Sequence, residues 1–275
     1  MAILLMTLAQ FIAYTRAELA KGGLERVAVD DAVYWRGGQA PSPVLVLLHG
    51  ANDQAGTWFA VAPKLAKTHR VLAVDLPGHG ESGPHDGPLP LSMMVERLHA
   101  VLDREAAKRV TLVGNSMGGW VAMLYAMKYP EQVERLVLED ASGMMWPLSV
   151  PLIAANREDA IKILHAVHGP KAETPEWAIE ALLEPHAGDL MKRVIAGGVL
   201  DFLVDNKLAS LKTPVTLIWG RDDGLLPLAY AEALQKKIAG LKLFVIDGAA
   251  HMPHRQQPER FLECLSKSSS PSGRE

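Results

Sequence analysis

Ser116 lies in Gly114-Asn115-Ser116-Met117-Gly118, after the apolar β-type run Arg109-Val110-Thr111-Leu112-Val113 and before the helical pattern Gly119-Trp120-Val121-Ala122-Met123-Leu124-Tyr125-Ala126. A serine on so tight a strand-to-helix turn takes a strained backbone conformation, and the glycines beside it keep neighbouring Cβ atoms from clashing. The turn lifts the hydroxyl clear of a sheet and sets it near a helix N-terminus, where backbone N–H groups can meet a developing oxyanion. The chemistry on offer is nucleophilic attack. With 23 glycines in 275 residues the same pentapeptide also arises as a plain connecting turn, so the reading depends on partners.

A nucleophilic serine needs a base to take its proton and a carboxylate to hold that base in one tautomer. Downstream, the run Val215-Thr216-Leu217-Ile218-Trp219 leads into Gly220-Arg221-Asp222-Asp223-Gly224-Leu225-Leu226-Pro227. Further on, Leu243-Phe244-Val245-Ile246 leads into Asp247-Gly248-Ala249-Ala250-His251-Met252-Pro253-His254. Each group follows its own strand, which sets all of them on one rim of a sheet. The order serine, aspartate, histidine is that of the strand–turn–helix serine hydrolases. Upstream, Val44-Leu45-Val46-Leu47-Leu48 ends in His49-Gly50-Ala51, so the Ala51 backbone N–H can join that of Met117 in an oxyanion hole. Removing one such donor costs roughly 2.7–4 kcal/mol of transition-state stabilisation in a comparable site.

The elements that must position these residues read as short apolar strands alternating with helical patterns, an α/β fold with a mostly parallel sheet covered on both faces. Strands are expected at Val44–Leu48, Val71–Asp75, Val110–Val113, Leu136–Glu139, Val215–Trp219 and Leu243–Ile246. An antiparallel element is expected through Glu25–Trp35. Helices are expected at Ala60–Lys67, Leu91–Ala107, Met117–Met127, Ala229–Ile238 and Pro258–Leu265.

The alternation breaks between Gly143 and Leu211, where helical segments are punctuated by Pro and Gly. This stretch reads as a helical insertion at the C-terminal edge of the sheet, where open α/β folds bind ligands. Met144, Met145, Trp146, His165, His168 and Trp177 are the candidates to line a pocket there. The expected organisation is an N-terminal helix at 1–23, a core at 24–143 and 211–266, a helical cap at 144–210 and a disordered tail at 267–275.

The segments His49-Gly50-Ala51, Asp75-Leu76-Pro77-Gly78-His79-Gly80-Glu81-Ser82, Gly114-Asn115-Ser116-Met117-Gly118-Gly119, Trp219-Gly220-Arg221-Asp222-Asp223 with Pro227, and Ala250-His251 together resemble the α/β-hydrolase superfamily. The likeness runs from about Leu24 to Leu265 and is nearest a bacterial lipase/esterase branch, through Gly22-Gly23-Leu24-Glu25-Arg26 and Tyr129-Pro130-Glu131-Gln132-Val133. The elbow also resembles that of hydrolases splitting carbon–carbon bonds of aromatic ring-cleavage products. The resemblance implies Ser116 as nucleophile, His251 as base, and Asp223, four residues before Pro227, as acid. Asp222 is its neighbour on the same loop, and Asp140 occupies the alternative acid position used by some members of the fold. His254 is the fallback base. Ala250 stands where many members have Gly, and Ala51-Asn52-Asp53-Gln54-Ala55-Gly56 is more polar than the usual oxyanion loop.

Other signals point elsewhere. His49 reads as packing for the oxyanion loop and His79 as a turn residue. His165 and His168 lack further ligands at metal spacing. Gly78-His79-Gly80-Glu81-Ser82-Gly83 fits a dinucleotide fingerprint, but Gly83-Pro84-His85-Asp86-Gly87-Pro88 cannot open the helix that motif requires.

Composition bounds the rest. A net charge of −3 without a Lys/Arg cluster argues against nucleic-acid binding. The single Cys264 excludes an intrachain disulfide and a cysteine metal site. No run is long enough to span a bilayer. The N-terminus is apolar, but it lacks a basic lead, and Thr7 and Gln10 interrupt it. Positions 4, 5, 8, 11 and 12 share one helical face, so a packed or amphipathic helix and a cytoplasmic protein are expected rather than a secretion signal.

The function expected is hydrolysis of small-molecule carboxylic esters with no cofactor or metal. The rivals are a thioesterase or acyltransferase, a non-catalytic ligand receptor, and a carbon–carbon hydrolase. The last would need a cationic clamp for a substrate carboxylate, drawn from Arg157, Lys192 or Arg193.

Overall fold

The computed structural model describes residues 6–39 and 43–268. The chain opens with helix α1 (Leu8–Lys21), then a hairpin of strands β1 (Glu25–Val29) and β2 (Ala32–Gly37). Strands β3 (Val44–Leu48) and β4 (Arg70–Val74) follow, separated by a 3-10 turn at Ala55–Ala60 and the short α2 (Ala62–Leu65). Next come α3 (Leu91–Arg104), β5 (Val110–Asn115), α4 (Met117–Lys128) and β6 (Val133–Glu139). Helices α5 (Arg157–His168), α6 (Glu176–Leu183) and α7 (Asp189–Ala196) lie between β6 and β7 (Val215–Gly220). The chain ends with α8 (Leu228–Lys237), β8 (Lys242–Ile246), α9 (Pro253–Gln256) and α10 (Pro258–Ser268).

All eight strands form one sheet in the order β1-β2-β4-β3-β5-β6-β7-β8. The pairs β1–β2 and β2–β4 are antiparallel, and every pair from β4 through β8 is parallel. Continuous apolar runs are what such a sheet requires, because successive side chains enter opposite cores. Along β3, Val46 and Leu48 join one core with Leu112, Leu138 and Leu217, on the face that α3, α4 and α8 cover. Leu45 and Leu47 join the other with Trp58, Val113, Val137, Ile218 and Phe261. Each fully buried Leu or Val stabilises the fold by about 1.5–3 kcal/mol.

The expected strands are present to within three residues at either end, and the segment Glu25–Trp35 is the β1–β2 hairpin. The helix expected at Ala60–Lys67 instead divides into the 3-10 turn and α2. The last helix runs on through Ser268, past the point where a disordered tail was expected to begin; residues 269–275 lie outside the described chain. In α1, Thr7 and Gln10 are not interruptions but a capping box: the Gln10 N–H donates to Thr7 Oγ1 at 3.2 Å and the Thr7 N–H donates to Gln10 Oε1 at 2.8 Å. The inward face of α1 centres on Thr15 and Leu19 rather than on its first turn, and Leu8 is 47% exposed. Positions 4 and 5 of the expected face lie outside the described residues.

At the C-terminal edge of the sheet, Gly220 ends β7 against the backbone of the β8 loop. A Cβ there would lie 1.9 Å from the Ala250 carbonyl oxygen, which only a main-chain shift could relieve. Gly220→Ala is therefore expected to destabilise the protein by at least about 1–3 kcal/mol, read as a lower urea midpoint at unchanged slope.

Candidate active site

Ser116 joins β5 to α4 with φ 52° and ψ −119°, a conformation that costs a non-glycine residue about 1–3 kcal/mol. The surrounding backbone holds it there. Its N–H donates to the Glu139 carbonyl at 3.0 Å, and its own carbonyl accepts from Gly119 at 3.0 Å and Ser142 at 3.1 Å. A Cβ on Gly118 would meet the Leu48 carbonyl oxygen at 2.3 Å, so the helix can pack this tightly on β3 only with glycine at that position. Gly50 lies against the same turn, its Cβ position 3.2 Å from Ser116 Cβ, which brings the Ala51 backbone beside the serine. Met117 is the first residue of α4 and its N–H is among those a helix start leaves unpaired.

His251 Nδ1 donates to Asp223 Oδ2 at 2.7 Å. Asp223 Oδ1 accepts the N–H groups of Leu225 and Leu226 at 2.8 and 2.9 Å, which fixes the carboxylate plane. Asp223 is 4% exposed and His251 5%. The neighbouring Asp222 is exposed. The histidine loop is held by its main chain: the His251 N–H donates to Val167 O at 3.0 Å, and Asn115 Nδ2 donates to His251 O at 2.9 Å. Asn115 thus ties the elbow to the histidine. Sequence reasoning assigned it no role, although its place inside the elbow was a usable signal.

Burial lowers the His251 pKa, but the charge of Asp223 and its hydrogen bond outweigh that effect, and the ring ends above the ordinary 6.5. A ring raised in this way stabilises the folded protein below its unfolded pKa, and the contribution is lost as pH rises through the folded value.

Asp140 does not sit apart as a stand-by acid. Its carboxyl, the carboxylate of Asp223 and the His251 ring bring ligand atoms within 4.8 Å of one another, the group among the described residues that could hold a cation. His165 and His168 lie on the last turn of α5 and are not part of it. Burial, followed by the charge on Arg255, lowers His168 to about 4.

His254, the fallback base, has its ring and backbone N–H engaged by other groups. Its Nδ1 donates to Glu139 Oε2 at 2.7 Å, its backbone N–H donates to Glu139 Oε1 at 2.7 Å, and Nε2 meets Thr57 Oγ1 at 3.0 Å. The ring packs against Trp58 with centroids 4.1 Å apart and the planes tilted at 33°. His49 is fully committed, taking the Leu76 N–H on Nε2 at 3.0 Å and donating from Nδ1 to Gly50 O at 2.7 Å. His79 lies in the turn after β4, donates to Pro77 O at 2.9 Å, and is lowered to about 3 by burial and then by His49.

The residues expected to line a pocket are placed differently from one another. Met144 is buried, and its backbone N–H donates to Tyr230 Oη at 2.7 Å. Trp146 meets the Tyr230 ring edge-on at 5.3 Å, so both belong to the packing of α8. Trp177 stacks on Phe11 of α1 at 6.4 Å, and its Nε1 is buried without an acceptor. His165 is half-buried. Two surface grooves, about 470 and 410 Å³, lie around Pro63 and Gly22 and include none of the residues above.

An eight-stranded, mostly parallel sheet with a strained serine between β5 and α4 defines the α/β-hydrolase fold. Residues 45–263 match the Alpha/beta hydrolase family, and the chain belongs to it. It is 30% identical over 257 residues to the pimeloyl-(acyl-carrier protein) methyl ester esterase of Aeromonas hydrophila, covering 84% of this chain and 96% of that protein. It is 25% identical over 257 residues to the human monoacylglycerol lipase ABHD6, covering 84% and 76%. Among solved structures it is similar to a bacterial membrane phospholipase A, with a TM-score of 0.81 and 25% identity over 96% of this chain and 93% of that one. Among the described residues, no helix is long and apolar enough to cross a membrane.

A base must be neutral to accept a proton. With His251 in that role, the rate at which a fluorophosphonate labels Ser116 is expected to rise with pH through a midpoint above 6.5, the ordinary histidine value. Intact-mass time courses from pH 5 to 9 give that midpoint; one below the ordinary value would contradict the assignment.

Proposed function

We propose that the protein is a serine hydrolase of carboxylic esters, with Ser116 as nucleophile, His251 as base and Asp223 as the acid that orients it. The observation that carries this reading is the buried Asp223–His251 pair at 2.7 Å, anchored through Asn115 to the elbow that presents Ser116. In the first half-reaction His251 Nε2 takes the hydroxyl proton as Ser116 Oγ attacks the ester carbonyl. The N–H groups of Ala51 and Met117 receive the oxyanion, and the imidazolium returns the proton to the leaving alcohol. In the second half-reaction His251 activates water, and the acyl-enzyme releases the acid. Asp223 stays ionised throughout.

Two observations favour an apolar ester over the carbon–carbon alternative. The cap between β6 and β7 exposes Met145 at 60%, Leu148 at 47%, Ile195 at 47% and Leu200 at 67%, apolar surface suited to an acyl chain. The three cations that could clamp a dienoic diketone acid are engaged elsewhere. Arg157 pairs with Glu176, Lys192 pairs with Asp189, and Arg193 donates to the carbonyls of Pro84, Asp86 and Gly87. The esterase and lipase names among the relatives agree with this reading.

The test is turnover of p-nitrophenyl esters of increasing acyl length by the wild type beside Ser116→Ala. Hydrolysis is expected to fall at least about a thousandfold in the variant. No turnover on any chain length by a folded wild type would overturn the esterase reading.

A further inference from the structure

The strongest unexplained feature is a second buried carboxyl in direct contact with Asp223. Asp140 follows β6, is 0% exposed, and has φ 42°, a left-handed conformation that a non-glycine residue adopts only when its surroundings enforce it. Its N–H donates to Ile218 O at 3.1 Å, which locks the residue to β7. Its two carboxyl oxygens share a single donor, the Gly220 N–H, at 3.0 and 3.3 Å. The carboxyl also lies within hydrogen-bonding reach of Asp223.

Asp140, Asp223 and His251 bring ligand atoms within 4.8 Å of one another, and two carboxylates so close and out of water strongly disfavour double ionisation, so one of them keeps a proton. The hydrogen-bond inventory decides which group keeps it. Asp223 accepts three donors: the N–H groups of Leu225 and Leu226 and the imidazole of His251. Asp140 accepts one shared amide, and no lysine or arginine is among the groups acting on it. The charged or titratable groups that face it are Asp223, Glu139 and His251, and the Glu139 carboxylate is already taken up by His254. The balance of donors, three on Asp223 against the single Gly220 N–H on Asp140, therefore favours the charge on Asp223 and the proton on Asp140. Burial, reinforced by the charge on Asp223, pushes the Asp140 carboxyl well above the usual carboxylate range.

We propose that Asp140 is a positioning residue that keeps its proton and donates it to the Asp223 carboxylate, locking Asp223 against His251. The inference rests on the reading of Ser116, Asp223 and His251 as a catalytic set. Asp140 itself neither touches substrate nor exchanges its proton in the cycle. Its O–H gives Asp223 a fourth donor, so the carboxylate cannot turn away when the imidazolium forms. A neutral neighbour also leaves the cluster with one negative charge opposite His251 rather than two.

Asp140→Asn and Asp140→Ala separate these roles. The asparagine carbonyl can accept the Gly220 N–H while its amide donates to Asp223, whereas alanine removes the donor. The first readout is the His251 ring titration followed by NMR, which requires no ester turnover. In Asp140→Asn the midpoint is expected to stay within about 0.3 pH of wild type, since a neutral donor replaces a neutral donor. A fall of about one pH or more would mean that a negative charge had been removed beside the imidazole, and would overturn the proposal.

The second readout is the rate of Ser116 labelling by a fluorophosphonate. It is expected within about threefold of wild type in Asp140→Asn and at least about tenfold slower in Asp140→Ala, the loss of one orienting hydrogen bond. Wild-type labelling in a folded Asp140→Ala would equally overturn it. If Asp140→Ala does not fold, the asparagine variant and its titration still decide. An esterase reading that failed on substrate would leave the titration result standing, so the two failures are distinguishable.

Discussion

The buried contact between Glu139 and His254 is the constraint on which the site geometry depends. Glu139 is the last residue of β6 and, like His254, is 0% exposed. Its carboxylate holds both the backbone N–H and the ring of His254, fixing α9 immediately after the His251 loop. Its carbonyl accepts the Ser116 N–H that stabilises the strained elbow. Through His254 Nε2 it reaches Thr57, in the 3-10 turn that follows the β3 loop. One residue thus sets three loops in register. Removing one partner of such a buried, hydrogen-bonded pair typically costs about 3–5 kcal/mol, because the other is left unpaired away from water.

Around that contact, the loops are tied by backbone rather than by long side chains. Asp223 is aimed by two amides of its own turn, and His251 by Val167 of α5 and by Asn115. The insertion between β6 and β7 is therefore not an independent cover. Its first helix holds the histidine main chain, and the Phe202 carbonyl accepts Trp120 Nε1 of α4 at 2.8 Å. Movement of that segment would be felt at His251, which links the insertion to the residue proposed to move the proton.

Most of the sheet was legible in the sequence because its strands are buried on both faces. Runs such as Val44–Leu48 admit few other structures, and turn residues bound them closely. Ser116, Asp223 and His251 were legible for a related reason: each follows a strand end, and strand ends of a parallel sheet share one rim. What the sequence did not encode are contacts distant along the chain. Met144 and Trp146 were candidates for a pocket because they begin the insertion, and Tyr230, more than 80 residues away, receives the Met144 N–H and packs edge-on against the half-buried Trp146. Thr7 and Gln10 looked like breaks in an apolar run because a capping box needs both side chains to turn back on the backbone. The contact between Asp140 and Asp223 joins the ends of β6 and β7, and no periodicity within either strand encodes it.

The histidines show how environment, rather than residue type, selects a base. Four are buried: His49, His79, His251 and His254. His49 and His254 have both ring nitrogens engaged by neighbouring groups. His79 donates from Nδ1, and burial holds its pKa near 3, so it stays neutral and is a weak base at neutral pH. His251 differs from all three. A carboxylate raises its proton affinity, and only its Nδ1 is hydrogen-bonded among the described residues, leaving Nε2 for a second partner. In the proposed mechanism Ser116, on the turn tied to His251 through Asn115, is that partner. The same elimination explains why a chain with ten histidines needs only one of them in this position: the others around the elbow are what keep it there.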